Sequence, residues 1–110
     1  MTKLVRLSDY GRLGERVVFD RAELNKILAI YSDRVARGEW RDYAIDHRPN
    51  MVAFAVFRSC YECPLFVIAK FSPNMQRQGR YSVSSGQRKL IQGRSIDEVL
   101  AVFERKLKLL

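Results

Sequence analysis

Two stripes of apolar residues at helical spacing bracket the centre of the chain, and the segment between them is built of short, strand-like apolar runs. The first stripe is Leu24, Ile27, Leu28, Tyr31 and Val35. The second is Ile96, Val99, Leu100, Phe103, Leu107 and Leu110. Residues three and four apart share one side of a helix, so each stripe needs an apolar surface to lie against. Asp20 with Glu23 has the pattern of a capping box at the first helix's start, and Ser95 with Glu98 repeats it at the second. Gly38, after "RVAR", suits the position just past a helix end.

Between the stripes come strand-like runs at 39–46, 51–58 and 65–71, and a fourth, "YSVSS", at 81–85. "HRPN" and "SCYECP" separate the first three, and Pro49 with Asn50 is turn chemistry. "RVVFD" adds a short strand, Val17 to Phe19, at an edge. Residues 1–16, with mixed charge and no sustained period, read as a flexible or loosely docked arm, and "SGQRKLIQGR" as an irregular connector. The predicted fold is α+β: a four-stranded antiparallel meander with one helix before it and one after, both packed on one face. No internal repeat or domain boundary interrupts residues 17–110, which form a single domain.

Loop lengths set an expected register. A four-residue "HRPN" loop puts Tyr43 opposite Phe54, a six-residue "SCYECP" loop puts Arg58 opposite Leu65, and Phe71 then faces Tyr81. The core face collects Tyr43, Ile45, Val52, Phe54, Val56, Leu65, Val67, Ala69, Phe71, Tyr81 and Val83. The opposite face collects Trp40, Asp42, Asp46, Phe57, Phe66, Ile68 and Lys70. A slip of one residue would exchange the faces. Trp40, Phe57, Phe66 and Ile68 form a partly apolar outer patch in this register. Such a patch suits a protein partner or a homodimer, or a covering by the N-terminal arm.

Composition narrows the class. The chain has 110 residues, 47% hydrophobic and 29% charged, which is ordinary for a globular domain. No apolar run approaches the ~20 residues that span a bilayer, so no membrane partner is expected. The first residues lack a continuous apolar stretch of the kind that opens an export signal, and two cysteines then suit a reducing cytoplasm.

Catalytic patterns fail on geometry. Asp42 and Asp46 share a strand face, but four residues span about 13 Å. Glycosidase-type carboxylate pairs sit about 5 to 9.5 Å apart. Cys60 and Cys63 make a C-x-x-C in a hairpin loop, half of a zinc set, and His47 lies at the far end of the neighbouring strand. Only four cysteines shared by two copies would complete such a site. His47 has no nucleophile placed beside it, and no phosphate-binding glycine loop is present. The expectation is a protein without catalysis, cofactor or metal.

Charge points elsewhere. The formal net charge is +8, and nine of the twelve acids fall within residues 1–62. From Glu62 to Asp97 there is no acid, while Lys70, Arg77, Arg80, Arg88, Lys89 and Arg94 all lie there. Those six predict a nucleic-acid-binding site that contacts phosphates with little sequence preference. Arginine's fork suits phosphate. The interaction module around Trp40 is the alternative. "VAFAVF" only faintly echoes the aromatic strand of the RNA-recognition motif, since Phe54 and Phe57 fall on opposite faces. The order helix, strands, helix resembles the double-stranded-RNA-binding domain, but the second helix opens "SIDEVL", acidic where that family is basic.

"VVFDRAELNKIL", "VARGEWRDYAID", "AVFR" and "CPLFVIAK" together resemble a family of small alphaproteobacterial proteins classed as a domain of unknown function, over residues 17–104. "GEWRDYAID" is the most specific of these runs. The resemblance implies a bacterial cytoplasmic protein and supplies no activity or site residues.

Overall fold

The computed structural model describes residues 17–58, 63–73 and 80–109, with side chains described as far as Glu104. The expected arm, 1–16, lies outside the described residues. Helix α1 is Arg21–Ala36 and helix α2 is Ile96–Leu109. Between them run β1 (Asp42–Arg48), β2 (Met51–Phe57), β3 (Phe66–Phe71), β4 (Tyr81–Ser85) and β5 (Arg88–Gly93). The sheet is one antiparallel meander in the order β1-β2-β3-β4-β5. The α+β architecture is as expected, with one strand more than the sequence suggested.

The extra strand is β5, which occupies the supposed connector. Gly86, at φ 64°, opens a two-residue hairpin turn between Ser85 and Arg88, a position that favours glycine. The register shifts between Val83 and Ser84, leaving Leu90 as the odd residue of a bulge. This bulge hid the strand's alternation: Leu90 and Ile91 both pack against the core. Val17–Phe19 forms none of the sheet's strands. Val17 is buried instead, and the Val18 carbonyl accepts a hydrogen bond from Lys70 Nζ at 2.8 Å.

Helix α1 starts as its sequence asks. The Asp20 carboxylate accepts the Glu23 N–H at 2.8 Å, and Glu23 Oε1 accepts the Asp20 N–H at 2.9 Å. It ends with Gly38 at φ 79°, while the N–H groups of Gly38 and Glu39 donate to the carbonyls of Val35 and Arg34. The chain then turns sharply into Trp40 and β1.

The register differs from the expected one at three places. The first turn uses only Pro49 and Asn50, so Arg48 pairs with Met51, and Tyr43 faces Val56 rather than Phe54. That two-residue shift leaves the faces unchanged. Between β2 and β3 the shift is a single residue: Phe54 pairs with Ile68 and Val56 with Phe66. The faces of β3 are therefore exchanged. Phe66, Ile68 and Lys70 point toward the helices, and Val67, Ala69 and Phe71 point away. A second one-residue shift pairs Lys70 with Tyr81 and Ile68 with Val83. It cancels the first, and Tyr81 and Val83 reach the helix side as expected.

The exchanged faces of β3, and a first strand that begins at Asp42 rather than at 39 and so leaves Trp40 outside its alternation, overturn the expected outer patch. Trp40 is only 3% exposed and sits in the core with Phe54, Val56, Ile68, Tyr81, Val83 and Phe103. Its ring lies 5.4 Å from that of Phe103, edge-on, and 5.9 Å from that of Phe66. Ile68 is fully buried and Phe66 packs half-buried against the same cluster. Of the four, Phe57 alone is on the outer face, and it is buried too. The Arg34 guanidinium lies over the Trp40 ring at 5.9 Å, bonds the Phe103 carbonyl at 3.0 Å and meets Glu39 at 3.4 Å. One tryptophan and one arginine thus tie α1, α2 and the sheet together. Trp40→Ala should cost about 3 to 5 kcal/mol of folding stability by emptying this cluster. Urea denaturation checks it, and a loss below about 1 kcal/mol would contradict the core placement.

Candidate functional site

The most elaborate polar arrangement in the described protein is buried beneath α1. Glu23 leaves the first turn of the helix pointing at the sheet. Besides its cap bond, its carboxylate accepts Lys70 Nζ at 2.7 Å and the Tyr81 hydroxyl in a short hydrogen bond. Lys70 and Tyr81 are cross-strand partners, so adjacent strands supply both donors. All three side chains are buried. Burial pushes the Glu23 carboxyl pKa up, but hydrogen bonds from Lys70, Tyr81 and the Asp20 backbone outweigh it, and the net shift is below the ordinary 4.5. Burial first, then the bond to Glu23, raises the Tyr81 hydroxyl from 10.0 to about 12.

Each charge in the cluster faces its complement. The cluster acts as a lock between helix and sheet, and Lys70, expected to touch phosphate, is spent inside it. A lone lysine within "FVIAKF" was the available signal, because a charge in an apolar strand needs a buried partner.

The other five expected phosphate contacts fall apart into groups. Arg77 lies outside the described residues. Arg80 is half-buried, and its Nε donates to the Phe71 carbonyl at 3.1 Å. Tyr81 pairs with Gly93, so Arg80 and exposed Arg94 are neighbours one step beyond that pair. Arg88 and Lys89 are exposed at the other end of β5, and Lys89 bonds Gln92 at 2.8 Å. At about 3.3 Å per residue, the two groups are about 17 to 20 Å apart along the strand. β5 is an edge of the sheet, so this line of cations is a basic rim. Among the described residues none of the four side chains forms an ion pair with a carboxylate. Arg41 and Arg58, exposed one step past the Asp42–Phe57 pair, sit at the same end of the sheet as Arg88. They were missed because they lie outside the acid-free window.

The start of α2 is already filled. The Glu98 N–H donates to Ser95 Oγ at 3.2 Å, while the Glu98 carboxylate folds back over Gly93 and accepts the Arg94 N–H at 3.0 Å. The expected capping box is therefore displaced by one residue on its return bond. Asp97 pairs with Lys26 of α1 at 2.9 Å. An open groove of about 370 Å³ runs beside that pair, floored by Ala29, Ile30, Leu100 and Ala101. Its charged lining is Lys26, Asp97 and Glu104.

The remaining candidates are separated. Cys60 lies outside the described residues and Cys63 is exposed. His47 is exposed on β1. Among the described residues no group of three His, Cys, Asp or Glu side chains could hold a metal ion. No described helix is long and apolar enough to cross a membrane. On the opposite edge from β5, every residue of β1 is exposed, Tyr43 and Ile45 included at 43% and 38%.

The chain belongs to a family described as protein of unknown function (DUF2794), whose match covers residues 17–100. That span includes α1, all five strands and the first turn of α2. No curated protein and no solved structure matches the chain.

The lock makes stability depend on pH at both extremes. Glu23 has a depressed folded pKa, so its contribution is present above 4.5 and is lost as pH falls through the lower folded value. Tyr81 has a raised one, so its contribution is complete below 10.0 and is lost as pH rises toward about 12. A thermal-midpoint profile should be flat between these limits and fall outside both. Glu23→Gln strands the Lys70 charge and should cost about 3 kcal/mol. Glu23→Gln with Lys70→Met should recover part of that loss, which urea unfolding of the three chains would measure.

Proposed function

We propose that the protein is a non-catalytic nucleic-acid-binding accessory protein that holds a phosphate backbone along its β5 edge. One observation carries this reading: Arg88, Lys89 and Arg94 lie along the β5 edge, with Arg80 beside Arg94 at the end of β4, in a segment that contains no acid between Glu62 and Asp97. The net charge of +8 favours a polyanion as partner. Guanidinium groups on both ends of a rigid strand can grip phosphates several nucleotides apart. Phosphate contacts carry no sequence information, so affinity without sequence preference is expected. Lys70 has no part in this, because it is buried against Glu23.

Fluorescence anisotropy with a labelled oligonucleotide tests the rim. If about four charges contact phosphates, log affinity should fall against log salt with a slope near −3 to −4. Arg88→Glu with Lys89→Glu should weaken binding on every sequence and flatten the slope by about two. Arg94→Glu should flatten it by about one. The control is Arg21→Glu with Arg37→Glu, an equal charge change at exposed positions at the start of α1 and just past its end. Equal losses in rim and control chains would mean that only net charge attracts nucleic acid, and the rim would have no special role.

A further inference from the structure

The β1 edge is unlike the β5 edge. All seven residues of β1 are exposed, and among the described residues only β2 pairs with it. Its backbone polarity can be worked out. The Ser72 N–H donates to the Asn50 carbonyl, which places the hydrogen-bonded pairs of β2 with β3 at even-numbered β2 positions. Odd-numbered β2 residues therefore face β1, where they bond Asp42, Ala44, Asp46 and Arg48. Tyr43, Ile45 and His47 direct their N–H and C=O groups away from the sheet. Their side chains stand on the helix side, and those of Asp42, Ala44, Asp46 and Arg48 stand on the other.

From this edge we infer that β1 pairs antiparallel with β1 of a second copy of the chain, centred on Ile45. This register joins the two sheets into one of ten strands, with the helices of both copies on the same side. It uses every outward group: Ile45 meets its own twofold mate, and Tyr43 meets His47 of the other copy. On the opposite face Asp42 comes to lie across from Arg48 twice, once on each side of the axis. Charge selects this alignment. Moving the axis to Ala44 sets Asp42 against Asp46 twice, and moving it to Asp46 sets that carboxylate against itself. Like charges directly opposed destabilise a strand pair. The Ile45-centred register is the one that overlaps all seven residues and opposes unlike charges. It also covers Tyr43 and Ile45, two of the large apolar residues that the single chain leaves exposed. β1 has no proline, bulge or lysine to blunt it, and the charges it does carry, Asp42, Asp46 and Arg48, are of both signs.

The test is sedimentation equilibrium of the full chain over the micromolar range. The unmodified protein should be a dimer. Asp42→Arg alone sets arginine against arginine, and Arg48→Asp alone sets aspartate against aspartate, so each should weaken self-association at least about tenfold. In an equimolar mixture of the two variants, a mixed dimer keeps one native contact of Asp42 with Arg48. Its other contact sets the introduced arginine of one chain against the introduced aspartate of the other. Both contacts then oppose unlike charges, so the mixture should dimerise. Ile45→Pro removes an N–H that faces the partner rather than β2, so it should leave circular dichroism unchanged and abolish the dimer. A monomeric unmodified chain would overturn the inference. So would a dimer that survives Ile45→Pro, single charge variants that still self-associate, or a mixture that stays monomeric.

Discussion

Much of this structure depends on a single buried carboxylate. Glu23 belongs to three arrangements at once: it closes the cap of α1, neutralises Lys70 and accepts the Tyr81 hydroxyl. A cap alone would fix where the helix starts. The bonds to β3 and β4 also fix where that start sits over the sheet. The arrangement is self-consistent only when Lys70 points toward the helices, so the ion pair and the register of β3 require one another. A buried lysine without its partner would be far more costly than a register error in a purely apolar strand.

At the other end of α1, Arg34 and Trp40 do the corresponding work with weaker individual contacts. The guanidinium bonds a carbonyl of α2, meets Glu39 and covers the indole ring. The tryptophan fills the space between the helices and the sheet beside Phe66 and Phe103. Helix α1 is therefore held to the sheet by a polar lock at one end and to α2 by an aromatic cluster at the other. The two edges of the sheet differ in kind. β5 is lined with cations. β1 is charge-balanced and carries exposed apolar side chains.

Local signals were legible. The two helical stripes, the Asp20–Glu23 cap, the Gly38 helix end and the strands at 51–57 and 81–85 are written in short-range patterns that local physics enforces. β5 was not legible, because its bulge puts Leu90 and Ile91 on one side and breaks the period of two. The faces of β3 were not legible either. Leu65, Val67 and Phe71 are as apolar as Phe66 and Ile68, so the run contains no alternation to orient it. The candidate site inherited this error: Lys70 was assigned to the surface, and Phe66 and Ile68 to an outward patch. Trp40 joined that patch for another reason, because β1 begins at Asp42 and the tryptophan lies before its alternation.

Sequence alone determined both helices, four of the five strands, their order and the α+β class, because helix periodicity, caps and turn residues act over a few positions. Only the tertiary structure decided which face of β3 is inside, since a strand apolar on both faces takes its register from partners distant in the chain. Those partners are Glu23, 47 residues before Lys70, and Phe103, which packs on Trp40 and Phe66. The same long-range choice decided which cations remain at the surface. Charge can be counted along a sequence, but whether a lysine meets solvent or a buried glutamate is settled by packing.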